Sequence, residues 1–243
     1  AKDNLLVASD PNALLPHTKK LLFLEDNQLV TLNSKLELQN AYTLKKMTPK
    51  FTAVDWSHSS SKMDQFPHFM LKEIHEQPAV LRSTAQNGKE IKKVAKLIKH
   101  AFGTYLIGCG TATYACLAGV YLFSKIAKKH VNFSVGSEFN YIQDYLTPKS
   151  LLVAVSQSGE TIDIVEPVNL AKQKKTYVVS LVNVLGSTLY RMSDYSLLLQ
   201  AGMEKGVAST KALTAMLANM ILLAYAVAGK NNLGRKIIEK SIE

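Results

Sequence analysis

Cysteine is nearly missing from this sequence. Cys109 and Cys116 are the only two in 243 residues. They are too few for a disulfide scaffold and lie outside any C-x-x-C metal or redox pattern, which points to a reducing compartment, the cytoplasm. Arginine is scarce as well, with Arg82, Arg191 and Arg235 alone among 29 basic residues. A net charge of +10 and a pI of 9.4 would suit nucleic acid, but arginine is the usual reader of bases and phosphates. The excess is also evenly spread: positions 1–100 hold 15 basic and 10 acidic residues, positions 101–243 hold 14 and 9. A lysine-rich solvated surface accounts for it, and no nucleic-acid partner is expected.

Long hydrophobic runs are missing too. The longest, Ala212 to Ala228, is interrupted by Thr214, Asn219 and Tyr225, and it reads as a buried helix of a soluble core rather than a membrane span. No secretory signal opens the chain, since Leu5 to Ala8 run directly into Ser9-Asp10-Pro11. The chain starts without Met, just before a strand-like run, and reads as a piece of something longer. Of His17, His58, His68, His75, His100 and His130, no two show i, i+4 ligand spacing with a third donor, so no metal is expected.

What is present suits an ordinary globular chain. A composition of 47% hydrophobic and 20% charged residues is ample for a core and predicts one large domain, or a medium one with a small companion. The first fifty residues carry short apolar runs at 5–8, 21–24, 28–32 and 35–39. The turn-forming Glu25-Asp26-Asn27 between the second and third predicts a hairpin, and Asn12 to Leu15 a short irregular segment. So few strands are unlikely to hold a core of their own, and the segment reads as the edge of another domain. Residues 48–67 are polar and irregular, with Pro49, Pro67, the run Ser57 to Ser61 and Trp56, a composition that suits a linker.

After Pro67, helices alternate with strands. Helices are expected at 69–76 (ended by Gln77-Pro78), 89–100, 113–129, 137–143, 162–174, 187–192 and 209–228. Strands are expected at 104–107, 131–135, 151–155, 177–182 and 196–200. Five strands alternating with helices predict an α/β fold built on a parallel, doubly wound sheet. Ligands of such sheets bind at the carboxyl ends of the strands.

Three loops there have unusual composition. Ser156-Gln-Ser-Gly-Glu-Thr161 brings three hydroxyls and Gly159 to a helix N-terminus, whose unpaired amides and positive dipole end suit a phosphate. The same residues also fit a plain helix cap with spare hydroxyls. The run is neither a Walker loop nor a nucleophile elbow. Gly108-Cys-Gly-Thr-Ala-Thr113 lacks the third glycine of a dinucleotide fingerprint. It suits close contact with a polyhydroxy ligand through Thr111, with Cys109 as a packing residue. In Gly202 to Lys211, Ser209 and Thr210 can cap the long apolar helix. Lys211 in its first turn points either to a bound anion or to a stem reaching solvent.

With Phe69-Met-Leu-Lys-Glu-Ile-His-Glu-Gln-Pro78, these loops resemble, in order, the glutamine–fructose-6-phosphate aminotransferase (glucosamine-6-phosphate synthase) family. Ala8-Ser-Asp10 and Phe23-Leu-Glu-Asp26 are similar to the end of its glutaminase domain. The resemblance implies a five-stranded, three-layer αβα sugar-isomerase (SIS) domain of flavodoxin-like type at 68–230. It also implies a β-rich remnant of an N-terminal-nucleophile glutaminase domain at 1–47, a linker at 48–67, and at 231–243 the start of a connection to a second SIS domain. The family makes glucosamine 6-phosphate from fructose 6-phosphate and glutamine in hexosamine biosynthesis, as a homodimer without cofactor or metal. By that similarity Ser156, Gln157, Ser158 and Thr161 hold the sugar phosphate, Thr111 and position 112 contact it from the facing loop, and Val207 and Ser209 line the sugar. Position 112, normally Ser, is Ala112 here, so one hydroxyl is missing. The family's N-terminal cysteine, and the Glu, His and Lys of its second SIS domain, have no counterpart in these motifs. The chain is therefore expected to lack the catalytic groups of both half-reactions. A stand-alone SIS module that binds a phosphosugar is the alternative.

Overall fold

A computed structural model describes residues 5–8, 11–33, 35–53 and 63–242, and the chain divides into two compact units, Ala1–Lys62 and Met63–Glu243.

In the first unit a short helix α1 (Pro11–Leu14) is followed by β1 (Lys20–Leu21), β2 (Gln28–Leu32), β3 (Leu36–Asn40), β4 (Lys46–Met47) and β5 (Thr52–Ala53). The expected hairpin around Glu25-Asp26-Asn27 does not form. β1 pairs antiparallel with β5, and β2 turns back after Leu32 onto β3, which pairs with β4. The Glu25 turn is real, because the Gln28 amide donates to the Glu25 carbonyl at 3.2 Å and Asn27 takes a φ of 63°. It redirects the chain into β2 instead of joining neighbours. Residues 5–8 are not a strand. Trp56 and the Ser57–Ser61 run lie outside the described residues.

The second unit opens with α2 (Phe69–His75), α3 (Gln77–Thr84) and α4 (Gly88–His100). It continues through β6 (Gly103–Gly108), α5 (Thr111–Leu122), β7 (Asn132–Val135), α6 (Gly136–Phe139), β8 (Ser150–Ser156), α7 (Ile162–Gln173), β9 (Tyr177–Val182), α8 (Thr188–Met192), β10 (Tyr195–Leu198), α9 (Lys211–Val227) and α10 (Asn231–Lys240). Pro78 ends α2, as expected, and also starts α3. In a helix's first turn its missing N–H has no intrahelical partner to lose. Neither α3 nor α10 was expected from the sequence.

The five strands lie parallel in the order β10-β9-β8-β6-β7. Central β8, Ser-Leu-Leu-Val-Ala-Val-Ser, is buried along its whole length, which explains a run without polar alternation. Its side chains still divide by face. Leu151, Val153 and Val155 join Leu106, Val179 and Leu181 under α3, α4, α5, α9 and α10. Leu152 and Ala154 join Ile107, Val178 and Val182 under α6, α7 and α8. The result is a three-layer αβα sandwich. Among the described residues, no helix is long and apolar enough to cross a membrane.

Candidate functional site

The strand order places a switch point beside β8. From β6 the chain moves to β7 at the sheet edge, then returns to lay β8 on the other side of β6, with Gly108 opposite Val155. The loops leaving β6 and β8 run in opposite directions and leave a crevice at their carboxyl ends, where open α/β sheets bind ligands. Thr111 and Ser156–Thr161 border this crevice.

The loop after β8 shapes itself with its own hydroxyls. Ser156 Oγ accepts from the Gly159 amide at 3.0 Å and lies 3.4 Å from Thr161 Oγ1, and Ser158 Oγ accepts from the Glu160 amide at 3.1 Å. A hydroxyl that accepts an N–H keeps its own proton to donate. Thr161 takes the N-cap position of α7 but makes no side-chain capping bond. The plain-cap reading therefore fails for its hydroxyl: the Ile164 amide donates to the Thr161 carbonyl at 2.9 Å, and no side chain caps the first turn of α7. Gln157 is half-buried, and its carbonyl accepts from the Asn183 amide at 3.2 Å.

Helix α8 supports this loop from behind. The Leu189 amide donates to the Gly159 carbonyl at 3.0 Å, and the Thr188 amide donates to Glu160 Oε1 at 2.9 Å. Gly159 has φ +70°, and a Cβ on it would lie 2.1 Å from Ser187 Oγ. Only glycine satisfies both conditions.

Across the crevice, Thr111 is half-buried at the start of α5. Ala112 is 4% exposed and belongs to the apolar core, so its methyl points away from solvent. Thr113 Oγ1 donates to the Gly108 carbonyl at 2.8 Å. Burial raises the Cys109 thiol pKa, with the Asp163 charge adding to it, and burial pushes Cys116 higher still. Both are free thiols, and neither environment activates a nucleophile.

The third loop leaves β10, two strands from β8, so the sheet itself does not bring Val207 and Ser209 to the crevice. Val207 is fully exposed. Ser209 Oγ donates to Glu204 Oε2 at 3.2 Å, while Glu204 Oε1 accepts from the Thr210 and Ala212 amides at 2.9 and 3.0 Å. Glu204, not Ser209 or Thr210, thus supplies the anion at the N-terminus of α9. Lys211 matches neither expectation. It is 2% exposed, and its Nζ lies 2.5 Å from Glu76 Oε2, so its anion is a carboxylate of the chain itself.

Four groups at these loops carried no sequence expectation: Glu73 on α2, Glu76 at its C-terminal cap, Glu204, and Asn183, whose side chain bonds Ala201 and Gly202 at 3.0 and 2.6 Å. Polar side chains that bury themselves against a distant loop leave no periodic trace. The α2 motif could have flagged Glu73 and Glu76, but only as part of a pattern without roles. Among the described residues, no group of three or more His, Cys, Asp or Glu is arranged to hold a metal.

The SIS domain family model matches residues 97–226. A glutamine–fructose-6-phosphate aminotransferase of Thermus thermophilus is 40% identical over 90% of this chain and 37% of its own length. One of Clostridium acetobutylicum is 34% identical over 99% and 41%. The chain thus spans about two fifths of these relatives. The C-terminal domain of glucosamine-fructose-6-phosphate aminotransferase from Francisella tularensis superposes with a TM-score of 0.66 at 30% identity, covering 74% of this chain and 54% of that one. With more than half of its residues inside the matched region, this chain belongs to the SIS-domain family.

Proposed function

We propose that this chain is the sugar-phosphate-binding, first isomerase part of a glutamine–fructose-6-phosphate aminotransferase, preceded at 1–47 by the end of a glutaminase domain and joined to it by residues 48–67. Its ligand is fructose 6-phosphate or its product glucosamine 6-phosphate. The observation that carries this reading is the crevice beside β8, where a helix N-terminus without a side-chain cap meets the hydroxyls of Ser156, Ser158 and Thr161, the first two of which accept backbone amides. The phosphate dianion accepts from Ser156, Ser158, Thr161 and the first amides of α7, while Gln157 and Thr111 border it. Neutral donors at a helix dipole hold such an anion without a lysine or arginine. The Ala112 methyl adds no contact.

The residues of this chain bind and orient the ligand. By family resemblance the nucleophile of glutamine hydrolysis and the acid, base and Schiff-base groups of the isomerisation are supplied elsewhere in the enzyme, so the chain alone turns over neither half-reaction. It acts in the cytoplasm, a setting that suits two free thiols, and as a homodimer. A thermal-shift comparison tests the reading. Fructose 6-phosphate raises the melting temperature and fructose does not, because the loop addresses the phosphate. Equal shifts with the two sugars contradict it.

A further inference from the structure

The loop from Gly202 to Lys211 carries Val207 and Ser209, yet little apolar burial secures its tip. Val207 is fully exposed, and Ala208 is exposed beside it. The loop is held by polar tethers from distant parts of the sequence. Glu73, only 2% exposed, accepts from the Lys205 amide at 2.5 Å through Oε1, and from the Gly206 amide at 3.1 Å through both oxygens. The Lys205 ammonium sits 4.8 Å from the Phe69 ring centroid, one helical turn earlier on α2. One turn later, Glu76 binds Lys211 at the root of the loop. Phe69 and Glu73 of α2, with Glu76 at its C-terminal cap, thus form one stripe that grips the loop at two points, Lys205–Gly206 and Lys211. The fit is close, since a Cβ on Gly206 would lie 2.6 Å from Glu73 Oε2.

We propose that Glu73 is a positioning residue for sugar binding: through the Lys205 and Gly206 amides it sets the loop shape in which Val207 and Ser209 meet the ligand's sugar. The inference rests on the sugar-phosphate reading above and extends it, because it divides recognition into two parts. The phosphate is held by a loop built on β8 and backed by α8. The sugar is met by a loop whose shape depends on a carboxylate of α2. A charged acceptor shared by two backbone amides is stronger than a neutral one, so an amide in its place loosens the loop without emptying the space.

The test titrates the chain, Glu73→Gln and Gly206→Ala with fructose 6-phosphate and, separately, with inorganic phosphate, recording melting temperatures alongside. Gly206→Ala approaches the contact from the loop side and serves if the Glu73 variant folds poorly. Both variants should bind fructose 6-phosphate about tenfold more weakly and inorganic phosphate within about twofold of the unaltered chain. Unaltered affinity for fructose 6-phosphate in both variants overturns the positioning role. So does an equal loss for both ligands, which marks a general effect on the fold. If the unaltered chain binds neither ligand, the sugar-phosphate reading itself is overturned.

Discussion

Gly159 is the residue on which the phosphate loop turns. Its positive φ and its contact with Ser187 leave no room for a methyl, so Gly159→Ala has to move the loop, α8 or both. It should abolish the fructose 6-phosphate thermal shift while circular dichroism keeps its α/β signature, and a retained shift would show that the loop tolerates the change. Lys211 sits in a more costly place. Lys211→Met removes a buried cation and leaves its partner Glu76 with the Lys72 ammonium at 3.7 Å. Losing that charged hydrogen bond at a partly exposed carboxylate should destabilise the fold by about 1–2 kcal/mol, read as a lower midpoint in urea unfolding. The thiols give a chemical check. Burial raises both pKa values, so the reactive thiolate fraction near neutral pH is below that of an ordinary cysteine. Iodoacetamide at pH 7.5 should label the native chain slowly. Rising pH should speed Cys109, which is half-buried, before the buried Cys116, and rapid labelling at pH 7.5 would contradict these environments.

At the level of elements, legibility followed periodicity. The five strands and most helices of the second unit were readable because a doubly wound sheet writes apolar strands between amphipathic helices, as in Gly88–His100, where Ile91, Val94, Ala95 and Ile98 are buried. The Ser156–Thr161 loop was readable as a strand-to-helix junction, which the structure places between β8 and α7, while its composition fitted a plain helix cap as well as a phosphate site. The span of helix α2 was readable but its facing was not, because its burial is inverted: Lys72 and Glu73 are buried, while Met70 and Ile74 are 42% and 39% exposed. A binary pattern assigns the opposite faces. Ile74→Gln should therefore cost under about 0.5 kcal/mol, whereas Glu73→Leu, which keeps the side chain's bulk but leaves the Lys205 and Gly206 amides without their buried acceptor, should cost about 1 kcal/mol or more. Equal losses in thermal denaturation would contradict that orientation. The first unit misled for a related reason. Its strands are two to five residues long, and strand pairing over so short a span depends on distant partners such as β5.

For the whole molecule, composition bounded the answer without naming it. The even spread of lysine argued against a nucleic-acid site, and among the described residues no helix is long and apolar enough to cross a membrane. What composition could not supply was the switch point beside β8, because strand order is set by which hydrophobic faces meet and not by any one residue. The central claim is that this crevice receives the phosphate of a phosphosugar. A crystal structure of the chain with fructose 6-phosphate, grown without sulfate or phosphate, tests it directly. The phosphate should lie at the N-terminus of α7, within hydrogen-bonding reach of the Ser156, Ser158 and Thr161 hydroxyls. A phosphosugar bound elsewhere, with that helix end unoccupied, would contradict it.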